Sequence, residues 1–142
     1  FSGSLNKYRI DILNELGKNG INFNAKFGIL DNDVYNSIDE ARVYLNLNIN
    51  ENSLFNEYRL MACAQSKTLF AGHSGNIQYF PRAEKLVGLS IFNDETELKK
   101  GLKNLIYDKD TIKKAFSLQY EYAKENREKF NLFVRQQFLE VS

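Results

Sequence analysis

The stretch that decides the fold is Val43-Tyr44-Leu45-Asn46-Leu47-Asn48-Ile49, a polar loop, Asn56-Glu57-Tyr58-Arg59-Leu60-Met61-Ala62-Cys63-Ala64, and then Thr68-Leu69-Phe70-Ala71. In its first part Val43, Leu45, Leu47 and Ile49 alternate with Tyr44, Asn46 and Asn48, which is the period of a strand. In its second, Leu60, Met61 and Ala64 recur at helical spacing, which predicts a helix over 55–65 with those residues inward. The third is a short apolar run closed by Gly72-His73-Ser74-Gly75, and it reads as a compact strand. Strand, helix and strand in close succession form a βαβ unit, whose strands lie parallel and whose crossover is right-handed.

The same alternation extends in both directions. Phe1 to Leu5 reads as a strand running into a glycine-containing turn, with Asn6 as N-cap of a helix carrying Tyr8, Ile12, Leu13 and Leu16. Residues 21–28 alternate at first and end at Gly28, a second strand; after Asp31-Asn32-Asp33 a short helix runs through Val34, Tyr35, Ile38 and Ala41. Downstream, residues 86–92 read as a strand, 96–107 as a helix, and about 110–140 as one long helix. Its apolar positions Ile112, Phe116, Ala123, Phe130, Phe133, Val134 and Phe138 have the spacing of a core stripe; Tyr120, Tyr122 and Phe130 make it aromatic enough for part of it to cover another domain or subunit. The expected fold is therefore α/β: a Rossmann-like three-layer domain with a parallel sheet of about five strands and a long C-terminal helix. Residues 1–142 are expected to form this single domain, as a fragment of a two-domain protein.

Composition narrows the function classes. Nineteen basic residues against eighteen acidic ones leave a net charge of +1, so the basic excess of a dedicated nucleic-acid binder is missing. No apolar run approaches the roughly 18 residues that cross a bilayer, and no signal peptide is legible in the opening residues. One cysteine and one histidine cannot make a structural zinc site. Cys63 reads as a small buried residue, in keeping with a reducing cytoplasm.

In an open parallel sheet, ligands gather at the carboxyl ends of the strands, beside the amide-rich starts of the helices. That rule selects Gly3-Ser4-Leu5-Asn6, Asn48 to Ser53, and Gly72 to Asn76. Gly3 and Gly75 read equally well as turn glycines, and Gly3-Ser4-Leu5-Asn6 is neither a Walker loop nor a dinucleotide fingerprint. His73 stands at a strand end, either touching a ligand or as a loop residue; no serine or cysteine triad surrounds it. Arg59 lies in the first half of its helix after Asn56 and Glu57, placed either to fork onto a phosphate or to pair internally with Glu57 or Asp31.

With these residues in place, the run from Val43 through Phe70, Phe92-Asn93-Asp94-Glu95-Thr96-Glu97-Leu98, and the opening Phe1-Ser2-Gly3-Ser4-Leu5 resemble the C-terminal domain of GT-B glycosyltransferases. The nearest branch is the group-1 type related to spore-maturation proteins. The family helix reads roughly Arg-x-Phe-Glu-Ala-x-Ala-Cys-Gly; here Asn56 stands for its arginine, Arg59 for the glutamate that holds the donor ribose, and Ala64 for its glycine. The resemblance implies a nucleotide-diphospho-sugar donor bound here, an acceptor on a missing N-terminal domain, and no activity from this domain alone. It implies a donor site of Gly3, Ser4, Arg9, Asn48, Asn56, Glu57, Arg59, His73 and Ser74, with Ser4 and Arg9 near the diphosphate and Asn48, Glu57 and Arg59 near the nucleoside. It nominates no catalytic base, and it implies no metal and no cofactor. The alternative is a degenerate, non-catalytic Rossmann-like binding or interaction module.

Overall fold

The computed structural model describes residues 1–4, 6–29, 31–48 and 53–134. Leu5, Ile49, the loop residues 50–52 and the stretch 135–142, with Phe138 and Glu140, lie outside the described residues. In chain order the elements are β1 (Ser2–Gly3), α1 (Lys7–Lys18), β2 (Lys26–Phe27), α2 (Asp31–Asp39), β3 (Val43–Asn46), α3 (Glu57–Gln65), β4 (Leu69–His73), two 3-10 turns (Ile77–Tyr79 and Pro81–Leu86), β5 (Ile91–Phe92), α4 (Glu95–Tyr107) and α5 (Lys109–Val134).

Every strand pair is parallel: β1 with β2, β3 with β4, and β4 with β5. Hydrogen bonding divides them into a two-stranded sheet, β1-β2, and a three-stranded sheet in the order β3-β4-β5, where the sequence predicts one sheet. At the carboxyl ends of β1 and β3 the Arg9 side chain spans from Ser4 O (2.8 Å) to Leu47 O (2.8 Å).

Strands β2 and β5 fall furthest short of their apolar patterns. Pairing of β2 reaches only as far as β1, in the register Ser2↔Lys26 and Gly3↔Phe27, so residues 21–25 carry no ladder although Ile21 is buried. The run preceding β5 turns instead of extending. Leu89 and Ser90 donate their N–H groups to Leu86 O (3.1 and 3.0 Å), and Gly88 takes φ +77°, a left-handed value that glycine adopts without a Cβ penalty.

Because β5 meets β4 only at Gly72 and His73, the first residues of β4 lack a strand partner on that side. Gln119 of α5 supplies one. Its buried amide accepts from Phe70 N–H (2.9 Å) and donates to Thr68 O (2.7 Å), reproducing the two bonds that a neighbouring strand would make.

Side chains of opposite parity on β3 and β4 enter two separate cores. Leu45, Leu47, Leu69 and Ala71 join Ile12, Leu13 and Leu16 of α1 and Leu98, Leu102 and Leu105 of α4. Tyr44 and Phe70 join Val34 and Ile38 of α2 and Leu60, Ala62 and Cys63 of α3. Helix α5 passes from the first cluster, at Ala115, to the second, at Tyr122. Burying apolar surface on both faces of the central strands is the main stabilisation, at about 25 cal/mol per Å².

The helix starts follow from capping residues. Asn6 accepts from Arg9 N–H (2.9 Å) and Asn56 from Arg59 N–H (3.1 Å). Phe55 therefore precedes α3 and does not begin it; it is buried against Phe70 and Phe80, with ring centroids 6.0 and 5.4 Å apart. Asp94 accepts from Glu97 N–H (2.8 Å) while Glu97 Oε2 accepts from Asn93 N–H (3.0 Å), a reciprocal arrangement that starts α4. Among the described residues no helix is long and apolar enough to cross a membrane.

Candidate functional site

Parallel pairing sends the carboxyl ends of β1, β3, β4 and β5 in common directions, and specific contacts bring the loops after them together. Ser4 and the Leu47-Asn48 segment share the Arg9 guanidinium. Ser74 N–H donates to Phe92 O (2.8 Å), tying the β4 loop to the end of β5. Gly75, at φ +49°, lies so near the segment before α3 that a Cβ there would stand 2.9 Å from Phe55 N. Tyr8, in the first turn of α1, stacks obliquely on His73 with ring centroids 6.2 Å apart. One rim thus gathers the starts of α1, α3 and α4, whose unpaired N–H groups favour anions.

Arg9 is built into the fold. It is not presented to solvent: it is only 9% exposed, and burial lowers its pKa against an opposing influence of Tyr44, although an arginine stays cationic at neutral pH. Nε donates to Leu47 O (3.1 Å) and Asn48 O (3.3 Å), Nη2 to Leu47 O (2.8 Å), and Nη1 to Ser4 O (2.8 Å) and Oγ (2.9 Å). Its cation also lies over the Phe1 ring, 5.6 Å from the centroid. These bonds make Arg9 a clip that holds the Gly3-Ser4 turn against the end of β3. Asn48 is buried beside it, and Ser4 is exposed.

Glu57 is held from a direction that the sequence reading did not supply. Tyr122 Oη donates a short hydrogen bond to Glu57 Oε1, and Asn126 Nδ2 donates to the same oxygen at 3.1 Å. Burial first, and the Glu57 hydrogen bond second, push the Tyr122 phenol up to about 12, so it stays protonated and remains a donor. Arg82 lies over the same ring, 6.0 Å from its centroid. The aromatic character of the last helix thus has a structural use at Tyr122, whereas Tyr120 is exposed.

Arg59, half-buried on α3, forms no ion pair with Glu57 among the described residues. It stands one turn before Cys63, whose thiol burial pushes up to about 12 despite that cation, so the thiol is inert. Asn56 uses its side-chain oxygen as the α3 cap.

His73 behaves differently from all of these. It is 5% exposed, and among the described residues neither Nδ1 nor Nε2 has a hydrogen-bond partner. Burial lowers its pKa below the ordinary value, with the Asp94 carboxylate opposing, so the ring is neutral and carries one N–H donor and one acceptor nitrogen. A buried polar group without a partner is uncommon and costly. Here it sits between the starts of α1 and α4, beside Ser74, itself only 7% exposed. No group of three or more His, Cys, Asp or Glu side chains capable of holding a metal occurs among the described residues.

A cavity of about 360 Å³ lies elsewhere, at the amino ends of the strands, lined by residues from α1, α2, α4 and both sheets. It is apolar in its depth and far from the helix starts, so it is a different feature from the rim. Comparison of the chain with family models, with curated proteins and with solved structures found no match.

Proposed function

We propose that this chain is the nucleotide-sugar donor-binding domain of a two-domain glycosyltransferase of GT-B design. In this reading the two sheets are parts of one five-stranded Rossmann-like sheet, β2-β1-β3-β4-β5, with Arg9 at the β1–β3 junction. A nucleotide-diphospho-sugar lies along the rim. The diphosphate meets the Gly3-Ser4 turn and the N–H groups of α1, with the His73 N–H and Ser74 as further donors. Asn48, Asn56 and Arg59 face the nucleoside. Arg9 is a positioning residue for the turn. The departing diphosphate is stabilised electrostatically by fixed N–H dipoles, without a metal. Acceptor and catalytic base belong to an N-terminal domain, and the setting is cytoplasmic.

The observation that carries the proposal is His73: a buried imidazole with both nitrogens unpartnered, at the meeting point of three parallel-strand ends and two helix starts. A ligand oxygen there would satisfy the orphaned donor. Calorimetric titration with UDP, GDP and their sugars tests it. Binding of one of them, weakened about tenfold in His73→Phe, supports the proposal; absence of heat and of thermal shift with all of them rejects it. One observation favours the second reading, a non-catalytic interaction module. Glu57, the carboxylate nearest to the family's ribose-binding position, is already engaged by Tyr122 and Asn126.

A further inference from the structure

The rim explains the carboxyl ends of the strands and leaves the cavity at their amino ends without a use. Among the described residues no ladder joins β1 to β3, and the cavity lies between them at their amino ends. The volume of about 360 Å³ is within the range of small-molecule sites, roughly 300–1,000 Å³. Its depth is apolar: Leu16, Ile21, Leu45 and Leu102 line it and are each no more than 6% exposed. A void lined this way lacks dispersion partners, and an apolar occupant would restore them. Phe1 lines the space as well and has the Arg9 cation over its ring, so the cavity ends below the clip that joins the two sheets.

Charge decides which apolar molecule fits. The lining also holds Lys26, Glu40 and Arg42. Lys26 and Glu40 neutralise each other at 2.9 Å. Arg42 is exposed, and its guanidinium has no hydrogen-bond or ion-pair partner among the described residues. A guanidinium without a carboxylate partner, its planar fork suited to a carboxylate, therefore borders an apolar pocket, and the Phe1 ammonium, which donates to Asn24 O (3.0 Å), adds positive charge to the same lining. A nucleotide, with several negative charges and little apolar surface, does not match. We infer that the cavity binds an apolar molecule ending in a single carboxylate, a medium-chain fatty acid in chemical class, with its tail among Leu16, Ile21, Leu45 and Leu102 and its head at Arg42.

The test is calorimetry on the 142-residue chain with decanoate, decanol and decyltrimethylammonium, each below its micelle concentration. Decanoate should bind one to one, and the neutral and cationic analogues progressively more weakly. Arg42→Gln, a surface change, should lower decanoate affinity about fivefold, the scale of an exposed ion pair, and leave decanol unchanged. Ile106→Phe, at a half-buried lining position, should weaken both by reducing the space. Absence of decanoate binding, equal affinity for the three compounds, or indifference to Arg42→Gln overturns the inference. So does a dimer in sedimentation that decanoate leaves intact, since a second copy would then be the occupant. UDP titrations on the same variants should be unaffected, which separates this site from the rim.

Discussion

Replacing Arg9 by methionine keeps the aliphatic stem and removes every donor, so it isolates what the guanidinium does. Three carbonyls lose a partner: Ser4, Leu47 and Asn48. Ser4 is exposed and its carbonyl can turn to water, whereas Leu47 and Asn48 are 1% and 6% exposed. An orphaned buried acceptor costs about 1–3 kcal/mol. The Asn48 bond is long at 3.3 Å and counts toward the low end. Relief of the desolvation that lowers the Arg9 pKa offsets part of the loss. The expected net destabilisation is about 2–4 kcal/mol, or roughly 8–16 °C in Tm at about 4 °C per kcal/mol for a chain of this length. Urea unfolding followed by far-ultraviolet circular dichroism measures it directly, with the m-value checking that the unfolded state is unchanged. Arg9→Lys keeps the charge but cannot fork between two strand ends, so it should recover less than half of the loss. If Arg9 instead served a bound diphosphate, the methionine variant would lose nucleotide affinity and keep its stability. A loss below about 0.5 kcal/mol, the range of ordinary surface substitutions, would refute the clip.

The remaining predictions concern three other residues. His73 is the only histidine, and its folded pKa lies below the ordinary 6.5 because the buried ring resists charging. The unfolded chain therefore takes up the proton first, so stability is fully present above pH 6.5 and declines as pH falls below it. His73→Phe should flatten that decline in pH-dependent unfolding, and an imidazole titration by NMR at or above 6.5 would contradict it. Gln119→Leu should cost about 2–4 kcal/mol and raise hydrogen exchange at the Phe70 amide, because the change strands that donor and the Thr68 carbonyl. Unchanged exchange at Phe70 would show that the amide is not a strand surrogate. Gly101→Ala would place a methyl group inside the envelope of the buried Phe92 ring and should cost about 1–3 kcal/mol. Much of that loss should return in the Gly101→Ala, Phe92→Leu double variant; strict additivity would argue against a steric origin.

What the sequence made legible was the order of the elements, because each strand and helix carries its own period. Leu45, Leu47, Leu60, Leu69 and Phe70 fall inward as their spacing predicts. Ladder lengths were not legible, since they depend on partners. The 86–92 run is as apolar as a strand, yet Gly88 and the bonds to Leu86 O turn it before β5. The alternation at 21–28 likewise survives only where β1 lies alongside. Long-range side-chain service to the backbone was invisible for the same reason. Nothing local in the sequence tells that Gln119 completes β4 or that Tyr122 and Asn126 hold Glu57, at sequence separations of 49, 65 and 69 residues.

The candidate site shows where reading by residue type succeeds and where it misleads. Arginine and glutamate near strand ends have the chemistry of ligand-binding groups, but the same chemistry satisfies stray carbonyls and caps, and here Arg9 and Glu57 are held by the fold itself. An internal partner lowers what such a group can gain from a ligand, because binding must first break a bond already made in a poorly solvated place. His73 is the converse case. Its nitrogens lose their hydration on folding and gain no partner, a cost that other interactions in the fold must outweigh. A ligand that supplies the missing partner recovers that cost on binding. The gain in affinity at the rim therefore concentrates on a polar side chain that folding leaves buried and, among the described residues, unsatisfied, and this is why His73, more than Arg9 or Glu57, is the residue on which to probe binding first.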